Sequence, residues 1–499
     1  MQIEGAWMER RSFLGGMVAA SVAGAPTLAW GRRAGEIAGP QYDVRQYGAQ
    51  GDGRTDDAPA IRRALADSER AAGIVYFPPG DYLIGAPLTL PAGRAWHLAG
   101  AGRGLSRLRM GGPAKTGEML RCAHTHLRSE FGCVLEDLTL EAAQLPGSAL
   151  TLAGQTLFSM RRVTIRGVTG GSGLVLEGTF DSYFEDVLLE DCGNRDHPSV
   201  VCRSGPGRDQ SINNCVFVNL HIENTSDMVY VDIDGSAASP ADTLQFFSLK
   251  VHGSPKSGNP TQSLIRLGQH AIGCSFIGGI VGWGSGVAQV EVDGQRNRFI
   301  GMDHGANAMS GRSPDFAYRF TGHATANHVI SPNFKNGVGP DVYRRGLMRV
   351  ERGASNNKLL FPQMSTGPLP LPRILSDEGR GTAFIGDDIN DAGGLYIAHG
   401  LGVAPLNTTG ISGTLTPARN LRGSVTIQGG ASDAEVRFAA PEPDAAYYLT
   451  CTVTGVRGSP RPEATRVRAE GKTARGFTIR SEAPPGGGNA VTVDWMLIR

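Results

Sequence analysis

One phrase of alternating apolar and polar residues recurs through the middle of the chain. Each copy begins with an aromatic or aliphatic residue, and successive copies begin 33, 29, 30, 23, 30 and 30 residues apart. The copies are FEDVLLE from Phe184, FVNLHIE from Phe217, FFSLKVH from Phe246, FIGGIVG from Phe276, FIGMDHG from Phe299, VISPNF from Val329 and LLFPQ from Leu359, with weaker copies from Leu135 and Met160. Short strands at a nearly constant period predict a β-solenoid, whose coils stack about 4.8 Å apart.

A second phrase, which ends in glycine, lies between copies of the first. It reads LVLEG (174–178), VDIDG (231–235), LIRLG (264–268), VEVDG (290–294) and YRFTG (318–322). Two or more strands per repeat with turns between them are typical of a solenoid coil. Glycine supports this interpretation, because 70 of 499 residues is about twice the usual share and indicates many turns.

The position two residues before each leading residue gives a check on the register. It is occupied by Cys215, Leu244, Cys274, Asn297, Asn327 and Asn357. An inward-facing column of this kind predicts apolar packing in the early coils and a ladder of three asparagine amides in the late ones. The seven cysteines show no CxxC or metal-ligand spacing, so we expect mostly free thiols, with Cys215 and Cys274 in the core.

Residues 46–65, QYGAQGDGRTDDAPAIRRAL, place three acids beside a helical pattern. They could form an active site, but apolar residues at helical spacing follow them, and Pro59 suits a first helical turn. Thr55, Asp56 and Asp57 lie where N-caps and partners of the helix dipole belong. We therefore predict a helix that covers the raw strand edges at one end of the solenoid.

The segment YDVRQYGAQGDGRTDDAPAIRRAL, with GIVYFPPGDYLI after it, resembles the N-terminal segment of the pectate-lyase-like superfamily. Rhamnogalacturonase-like and polygalacturonase-like enzymes, exo-glucanases and phage tailspike depolymerases share this segment. The resemblance covers residues 42–84 and implies a right-handed parallel β-helix that acts on carbohydrate. It does not determine the reaction, because one fold hosts lyases, hydrolases, epimerases and binders.

Beyond TGPLPLP (366–372) the pattern changes to six short strands in fewer than 80 residues, which suggests a β-sandwich. KTARGFTI and VTVDWMLIR loosely resemble the sandwich domains of phage tail fibres and H-type lectins, which implies sugar binding or a homotrimer. The fold expected is therefore all-β: a parallel β-helix capped by an N-terminal helix and followed by a small β-sandwich. The expected boundaries are 1–30 for an export signal, 38–375 for the β-helix, 376–400 for a linker and 401–499 for the sandwich.

The N-terminal segment MERRSFLGGMVAASVAGAPTLAWG resembles a bacterial twin-arginine export signal, with Arg10 and Arg11 before a short apolar stretch. It predicts a periplasmic or secreted protein with no membrane span after the signal is removed. A net charge of +1 without a basic stripe argues against nucleic acid as a partner, and the superfamily resemblance implies a polysaccharide.

The register also predicts a polar cleft. In the leading phrases, the residues four and six positions after the first should face outward, and the residue between them should face inward. Stacking then places His221 beside Lys250 and aligns Glu190, Glu223 and His252. The catalytic candidates are Glu190, Glu223, Asp227, Lys250, His252 and Asp303, and the substrate-binding candidates are His221, Tyr230, Trp283 and His304.

Two chemistries suit these residues. A glycosidase needs two carboxylates, which Glu190 with Glu223 or Glu223 with Asp227 would supply. A lyase or epimerase needs a base and a cation that neutralises a uronate carboxylate. That cation could be an arginine such as Arg266, or a Ca²⁺ ion held by acidic residues of the second phrase. These acids are Asp232, Asp234, Glu291 and Asp293, and their alternative role is to form a solvated outer surface.

Known catalytic motifs of the superfamily are incomplete in this chain. Asn224-Thr225-Ser226-Asp227 is near the polygalacturonase Asn-Thr-Asp, but the paired aspartates and the Arg-Ile-Lys are absent. The calcium and arginine set of pectate lyases is also not recognisable. The sequence therefore predicts an exported enzyme that cleaves an acidic polysaccharide by hydrolysis or β-elimination. The alternatives are a tailspike-like glycan-binding protein and an enzyme that edits an exopolysaccharide.

Overall fold

The computed structural model describes residues 40–498 of the chain apart from residues 93, 112–116, 124–131, 143–145, 206–209, 225–227, 254–261, 283–285, 306–312, 335–342, 365–374, 386–394, 398–421 and 439–443. It divides into two compact units, residues 1–403 and residues 404–499. None of the helices among the described residues has the length and hydropathy needed to cross a membrane.

The β-helix begins with a capped end, as the acid-rich segment predicts. Its elements are β1 (Gln41–Asp43), β2 (Asp52–Asp56), α1 (Ala58–Ala71), β3 (Ile74–Phe77) and β4 (Gly80–Ile84). Helix α1 buries Ala58, Ala60, Ile61, Ala64 and Leu65 in the same core that the coils share. The helix therefore covers apolar surface that the first coil would otherwise expose.

The three acids of this segment hold turns together. Asp57 is buried and accepts hydrogen bonds from the backbone N–H groups of Gln50 (2.7 Å) and Gly51 (3.1 Å), and its side chain does not cap α1. Asp56 accepts from Ala58 N at 3.1 Å and from Gly85 N at 2.9 Å. The structural role predicted for these acids is therefore observed, with the difference that Asp57 stabilises the glycine turn before the helix.

The remaining elements of the first unit are short strands. The first of them are β5 (Leu88–Thr89), β6 (His97–Gly100), β7 (Ser106–Met110), β8 (Leu120–Ala123), β9 (Val134–Glu136), β10 (Thr139–Glu141), β11 (Leu150–Ala153), β12 (Ser159–Arg166), β13 (Leu174–Glu177), β14 (Tyr183–Glu190), β15 (Val200–Arg203), β16 (Ile212–Asn213), β17 (Val216–Val218) and β18 (His221–Asn224). They continue with β19 (Val231–Asp234), β20 (Ala241–Asp242), β21 (Gln245–Phe247), β22 (Lys250–Gly253), β23 (Ile265–Leu267), β24 (Ala271–Ile272), β25 (Ser275–Ile277), β26 (Ile280–Gly282), β27 (Ala288–Val292), β28 (Arg298–Ile300), β29 (Asp303–Gly305), β30 (Phe316–Phe320), β31 (His328–Ile330), β32 (Asn333–Phe334), β33 (Gly346–Val350), β34 (Lys358–Leu360), β35 (Gln363–Met364), β36 (Leu375–Asp377), β37 (Ala383–Ile385) and β38 (Leu395–Ile397). Strands β36 and β37 pair in parallel with β33 and β34, so a further coil lies in the stretch that the sequence assigned to a linker.

The coils form a right-handed parallel β-helix with two main sheets. Sheet B, whose eleven described strands run from β5 to β36, contains the second phrase, and sheet A contains the leading phrase. In most coils sheet A holds a leading strand, such as β17, and a trailing strand, such as β18, whereas β12 and β14 run through both positions. The strands up to β37 pair in parallel with their counterparts in the next coil, so residues one period apart stack, whereas β38 pairs antiparallel with β37.

The first residues of the leading phrases form the predicted inward column. Phe184, Phe217, Phe246, Phe276 and Phe299 are fully buried, and successive rings are stacked with centroids 4.5–5.0 Å apart. This spacing equals the coil repeat, so parallel β-pairing itself holds the rings in contact. The column confirms the predicted register.

The late coils contain the predicted asparagine ladder. Nδ2 of Asn297 donates to Oδ1 of Asn327 at 3.0 Å, and Nδ2 of Asn327 donates to Oδ1 of Asn357 at 2.9 Å. The three side chains are fully buried and also bond backbone groups of adjacent coils. Cys215 and Cys274 occupy the same column in earlier coils, with free, fully buried thiols.

A left-handed residue separates the leading and trailing strands in successive coils. Backbone φ is 56° at Asn219, 55° at Ser248, 64° at Gly278 and 61° at Gly301. This conformation bends the chain between the two strands, and the bend determines which residues of the trailing strand face outward. The bend is a property of the backbone, since the side chains that occupy it differ from coil to coil.

The second unit contains two three-stranded antiparallel sheets, with β44 central in one and β43 central in the other. Its strands are β39 (Arg422–Gln428), β40 (Asp433–Arg437), β41 (Tyr448–Arg457), β42 (Val467–Thr473), β43 (Gly476–Ser481) and β44 (Ala490–Ile498), with a short 3₁₀ helix at Pro462–Thr465. Inward residues of both sheets form one core, in which the rings of Phe477 and Trp495 meet edge to face at 5.1 Å. The likeness to tail-fibre and lectin domains stays a prediction.

Candidate active site

The trailing strands of three successive coils bring five of the predicted residues together. In the pairing of β14 with β18 and of β18 with β22, Glu190 is opposite Glu223, Glu223 is opposite His252, and His221 is opposite Lys250. These side chains face outward, whereas the residues between them, Leu189, Ile222 and Val251, are fully buried. The alternation of each strand thus presents two polar rows side by side on one surface.

Glu223 is the centre of a cluster of basic groups. Its Oε1 atom lies 2.9 Å from Nε2 of His221, 3.2 Å from Nζ of Lys250 and 3.5 Å from Nδ1 of His252. The Glu223 side chain is 42% exposed and that of His221 27% exposed, so solvent or a ligand can reach both. We call these four residues the Glu223 cluster.

The cluster contains three basic groups and one carboxylate, which changes how its members titrate. Burial lowers the pKa of His221 and the charge of Lys250 lowers it further, against the opposing effect of Glu223. Burial acts to raise the pKa of Glu223, but hydrogen bonds from Lys250 and His221 outweigh it, so this pKa is below its usual value. At neutral pH the site therefore holds an ionised carboxylate and an uncharged imidazole, which is the form of histidine that accepts a proton.

Glu190 lies one coil before the cluster, about 4.8 Å along the axis from Glu223. Among the described residues, no side chain makes a hydrogen bond or ion pair with its carboxylate. The outward row continues on the other side of Glu190 with Arg166, Glu141 and Arg109. There Glu141 forms ion pairs with two arginines, Arg166 at 2.8 Å and Arg109 at 3.5 Å.

The sequence contained the signal for this extension of the row. Glu141 and Arg166 stand six residues after Leu135 and Met160, the first residues of the two weaker phrases. This is the position that Glu190 and Glu223 occupy in the stronger phrases. Applying the same count to the weaker copies would have placed both residues beside the site.

His304 does not lie in the cleft, and its predicted substrate contact is wrong. The side chain is fully buried, with Nδ1 2.8 Å from Oε1 of Gln289 and Nε2 2.6 Å from the hydroxyl of Tyr318. The hydroxyl of Tyr343 donates to the same Gln289 oxygen at 2.9 Å. These four residues, the Gln289 tetrad, join strands of sheets A and B inside the core, and burial lowers the pKa of His304 to about 3.

Two further predicted residues lie away from the cluster. Tyr230 is fully buried and its hydroxyl donates to the backbone oxygen of Asn224 at 3.0 Å, so a sugar cannot stack on it at the surface. Asp303 lies two coils beyond Lys250 and accepts a hydrogen bond from Asn333 at 2.9 Å. Asp227 and Trp283 lie outside the described residues, and their predicted roles stay predictions.

The four acids considered as calcium ligands have other partners. Asp232 makes two hydrogen bonds with Arg266, at 2.7 and 2.8 Å, and Glu291 receives Arg319 at 2.8 Å. Asp293 binds His323, and Asp234 accepts backbone N–H groups. No group of three or more His, Cys, Asp or Glu side chains suited to a metal occurs in the part of the chain that the structure describes. These acids therefore do not fit a calcium site, and two of them, Asp232 and Glu291, form ion pairs with arginines of sheet B.

Comparison with known families and proteins agrees with this architecture. Residues 41–120 match the family profile described as rhamnogalacturonase A/epimerase, pectate lyase-like. Mannuronan C5-epimerase AlgE4 of Azotobacter vinelandii is 38% identical over 111 residues, which are 20% of this chain and 19% of that protein. Alginate lyase 7 of the same organism is 30% identical over 112 residues, 21% of this chain and 13% of that protein. The chain thus spans less than a fifth of the length of these relatives.

A solved structure extends the likeness over most of the chain. The gp42 tailspike of Acinetobacter phage vb_AbaP_AS12 superposes with a TM-score of 0.53 at 8% sequence identity, covering 76% of this chain and 68% of that one. At this level of identity the match concerns the fold alone.

Proposed function

We propose that this chain, whose β-helix belongs to the pectate-lyase-like superfamily, is an enzyme that removes the proton next to the carboxylate of a uronate in an acidic polysaccharide. The observation that carries the proposal is the Glu223 cluster, in which an uncharged imidazole and an ammonium group share one exposed carboxylate. A base and a cation side by side are what such proton removal requires.

His221 is the proposed base. Its Nε2 atom faces Glu223, so in the neutral ring that nitrogen carries the hydrogen and Nδ1 keeps the lone pair. The carboxylate orients the ring and stabilises the imidazolium that forms when Nδ1 takes the proton. Glu223 acts through His221 and is therefore a positioning residue.

Lys250 is the proposed electrophilic group. Removing the proton next to a carboxylate moves charge onto the carboxylate oxygens, and a nearby ammonium stabilises that charge most as it develops. Breakage of the bond to the leaving sugar then gives an unsaturated uronate, and the leaving oxygen needs a proton. His252, on the same coil as Lys250, is placed to return one.

The relatives named as an alginate lyase and a mannuronan epimerase support this class of reaction. Elimination and epimerisation begin with the same proton removal and differ in the second step. Elimination expels the neighbouring sugar, and epimerisation returns a proton to the opposite face of the carbon. The Glu223 cluster supplies the common step, so both outcomes are included in the proposal.

The test is to incubate polymannuronate and polygalacturonate with the protein in deuterium oxide. We expect either ultraviolet absorbance of unsaturated ends, because elimination leaves the carbon next to the carboxylate without a hydrogen, or an uncleaved chain that carries deuterium at that carbon. New reducing ends with neither signal would contradict proton removal. That result would favour the second candidate function, a glycosidase, for which the adjacent carboxylates of Glu190 and Glu223 are the supporting observation.

We also propose that the enzyme acts outside the cytoplasm, and the twin arginines of the N-terminal segment support this. Replacing Arg10 and Arg11 by lysine should retain the chain in the cytoplasm when it is expressed with its N-terminal segment in a bacterium. Cell fractionation measures this. Unchanged export of the double variant would contradict the proposal without bearing on the reaction.

A further inference from the structure

A second outward surface lies on the leading strands of three late coils. In β28, β31 and β34, Arg298, His328 and Lys358 stack opposite one another along one row. Two residues further along each strand, Ile300, Ile330 and Leu360 stack in a neighbouring row. We call these six residues the late strip. It begins two coils beyond His252 and lies on different strands from the Glu223 cluster.

The three basic side chains of the late strip have no acidic partner within the described residues. No ion pair or side-chain hydrogen bond in that part of the chain involves Arg298, His328 or Lys358, and neither row contains an acid over these coils. Burial lowers the pKa of His328, and the charges of Lys358 and Arg298 lower it further. Like charges one coil apart destabilise the fold slightly unless a ligand neutralises them.

This arrangement contrasts with the basic residues of sheet B. There Arg266, Arg319 and Arg349 each contact an acid of a neighbouring coil at 2.6–2.9 Å. In sheet B of the same solenoid, these basic side chains are therefore neutralised by acidic residues of the protein itself. The unpaired row of the late strip is a departure that folding does not explain.

The aliphatic row gives the strip a second kind of contact. Ile300, Ile330 and Leu360 face outward and are partly exposed. Next to Leu360, Phe361 has its side chain 42% exposed and its backbone φ at 52°. Phe361 occupies the left-handed bend that recurs between the leading and trailing strands, and there its ring extends the apolar surface. Apolar ring faces of sugars suit such a surface.

We infer that the late strip binds a stretch of an acidic polysaccharide chain, with uronate carboxylates on its basic row and sugar-ring faces on its aliphatic row. The basic groups recur at each coil, about 4.8 Å apart, so the row offers carboxylates along a chain a series of contacts that spans about 10 Å. The choice of uronate as the ligand class rests on the proposed function. The strip itself is a binding site apart from the Glu223 cluster and contributes no group to the reaction.

The test measures binding of a labelled oligogalacturonate by fluorescence anisotropy, with the full chain in a His221→Gln background that removes the proposed base. The strip variant is Arg298→Ala with Lys358→Ala. We expect its affinity to fall about five- to tenfold, since each exposed charge contact contributes modestly. The matched control is Arg54→Ala with Arg457→Ala, which removes two exposed charges elsewhere and should leave affinity unchanged.

Two further probes separate the alternatives. A neutral cello-oligosaccharide of equal length should bind weakly to both proteins. An oligothymidylate bound as tightly as the uronate would overturn the inference in favour of a general polyanion surface. Equal weakening by the control variant, unchanged affinity of the strip variant or no uronate binding by the parent would overturn it as well.

The experiment also distinguishes the strip from the proposed reaction. Unsaturated ends or deuterium incorporation, without any effect of the strip variant on binding, would leave the proposed function intact and remove the strip. Binding that depends on the strip, in a protein that gives neither signal, would do the reverse. Self-association of the parent in sedimentation, abolished in the strip variant, would show that a second copy of this chain covers the surface and would overturn the inference.

Discussion

The Glu223 cluster and the Gln289 tetrad are both built around a hydrogen-bonded histidine on the trailing strands of sheet A. In the tetrad every polar atom has a partner, since Gln289 accepts from His304 and Tyr343 and donates to two backbone oxygens. In the cluster one carboxylate serves three basic groups at the surface. The difference is direction: a trailing-strand histidine that faces inward joins two sheets, and one that faces outward is available to a ligand.

The largest expected effect is on catalytic activity, which should depend on His221 of the cluster. His221→Gln keeps a hydrogen bond to Glu223 but removes the base, so we expect kcat/KM to fall roughly 10³-fold. The free energy of unfolding should change little, because the residue is at the surface. Arg266→Gln is the control, since it alters a paired surface charge and should leave kcat/KM unchanged. Full activity of His221→Gln would exclude His221 as the base.

The next effect concerns stability and belongs to the tetrad. His304→Ala removes a fully buried ring, takes the partner from the Tyr318 hydroxyl and leaves the Gln289 oxygen with one donor instead of two, so we expect a loss of about 4 kcal/mol in the free energy of unfolding. Tyr343→Phe, which leaves the Gln289 oxygen its contact with His304, should cost about 1 kcal/mol. Urea unfolding measures both. An equal cost for Glu223→Gln would break the comparison, because the outward cluster would then be structural too.

Acid should weaken the tetrad. The pKa of His304 is about 3 in the folded protein, far below the ordinary value of 6.5, so the folded state keeps the ring neutral while the unfolded state takes up a proton. Its stabilising contribution is complete above pH 6.5 and declines as the pH falls toward 3. Between pH 7 and pH 4.5 we expect a loss of about 2–3 kcal/mol. Urea unfolding at both pH values should show a smaller difference in His304→Asn.

The smallest expected effect is a shift in the pH dependence of activity, which tests the roles assigned to His221, Lys250 and Glu223. A base must be deprotonated to act, so kcat/KM should rise with pH through the pKa of His221, which is below its usual value. Lys250 contributes to that lowering and Glu223 opposes it. Any residual activity of Lys250→Met should therefore have its acid limb at higher pH, and that of Glu223→Gln at lower pH. Shifts in the same direction, or none, would contradict the electrostatic account.

Much of the β-helix could be predicted because its coils repeat the same side-chain alternation. The period alone identified the stacked rings from Phe184 to Phe299 and the amides of Asn297, Asn327 and Asn357. It also placed His221 beside Lys250 and Glu190 beside Glu223. A parallel ladder transmits register from coil to coil, so one correct alignment determines all its neighbours.

The residues placed wrongly depend on contacts between different sheets. The partners of His304 lie on strands β27 and β30 of sheet B, and the period of sheet A contains no information about what faces it across the core. Tyr230 was assigned to the surface by its ring, but its hydroxyl bonds a backbone oxygen of its own coil. The pairing of Asp232 with Arg266 was open to prediction once sheet B was given the same register as sheet A.

The left-handed bend between leading and trailing strands has a consequence for how such proteins diverge. Asn, Ser and Gly all occupy it, and the geometry of the coil stays the same whichever is present. Outward side chains on either strand can therefore mutate without altering the backbone that presents them. During evolution, one set of outward catalytic residues can therefore replace another while the backbone of the coils is retained. Sequence similarity between such proteins should then be higher in the capped first coil than among the residues that perform the chemistry.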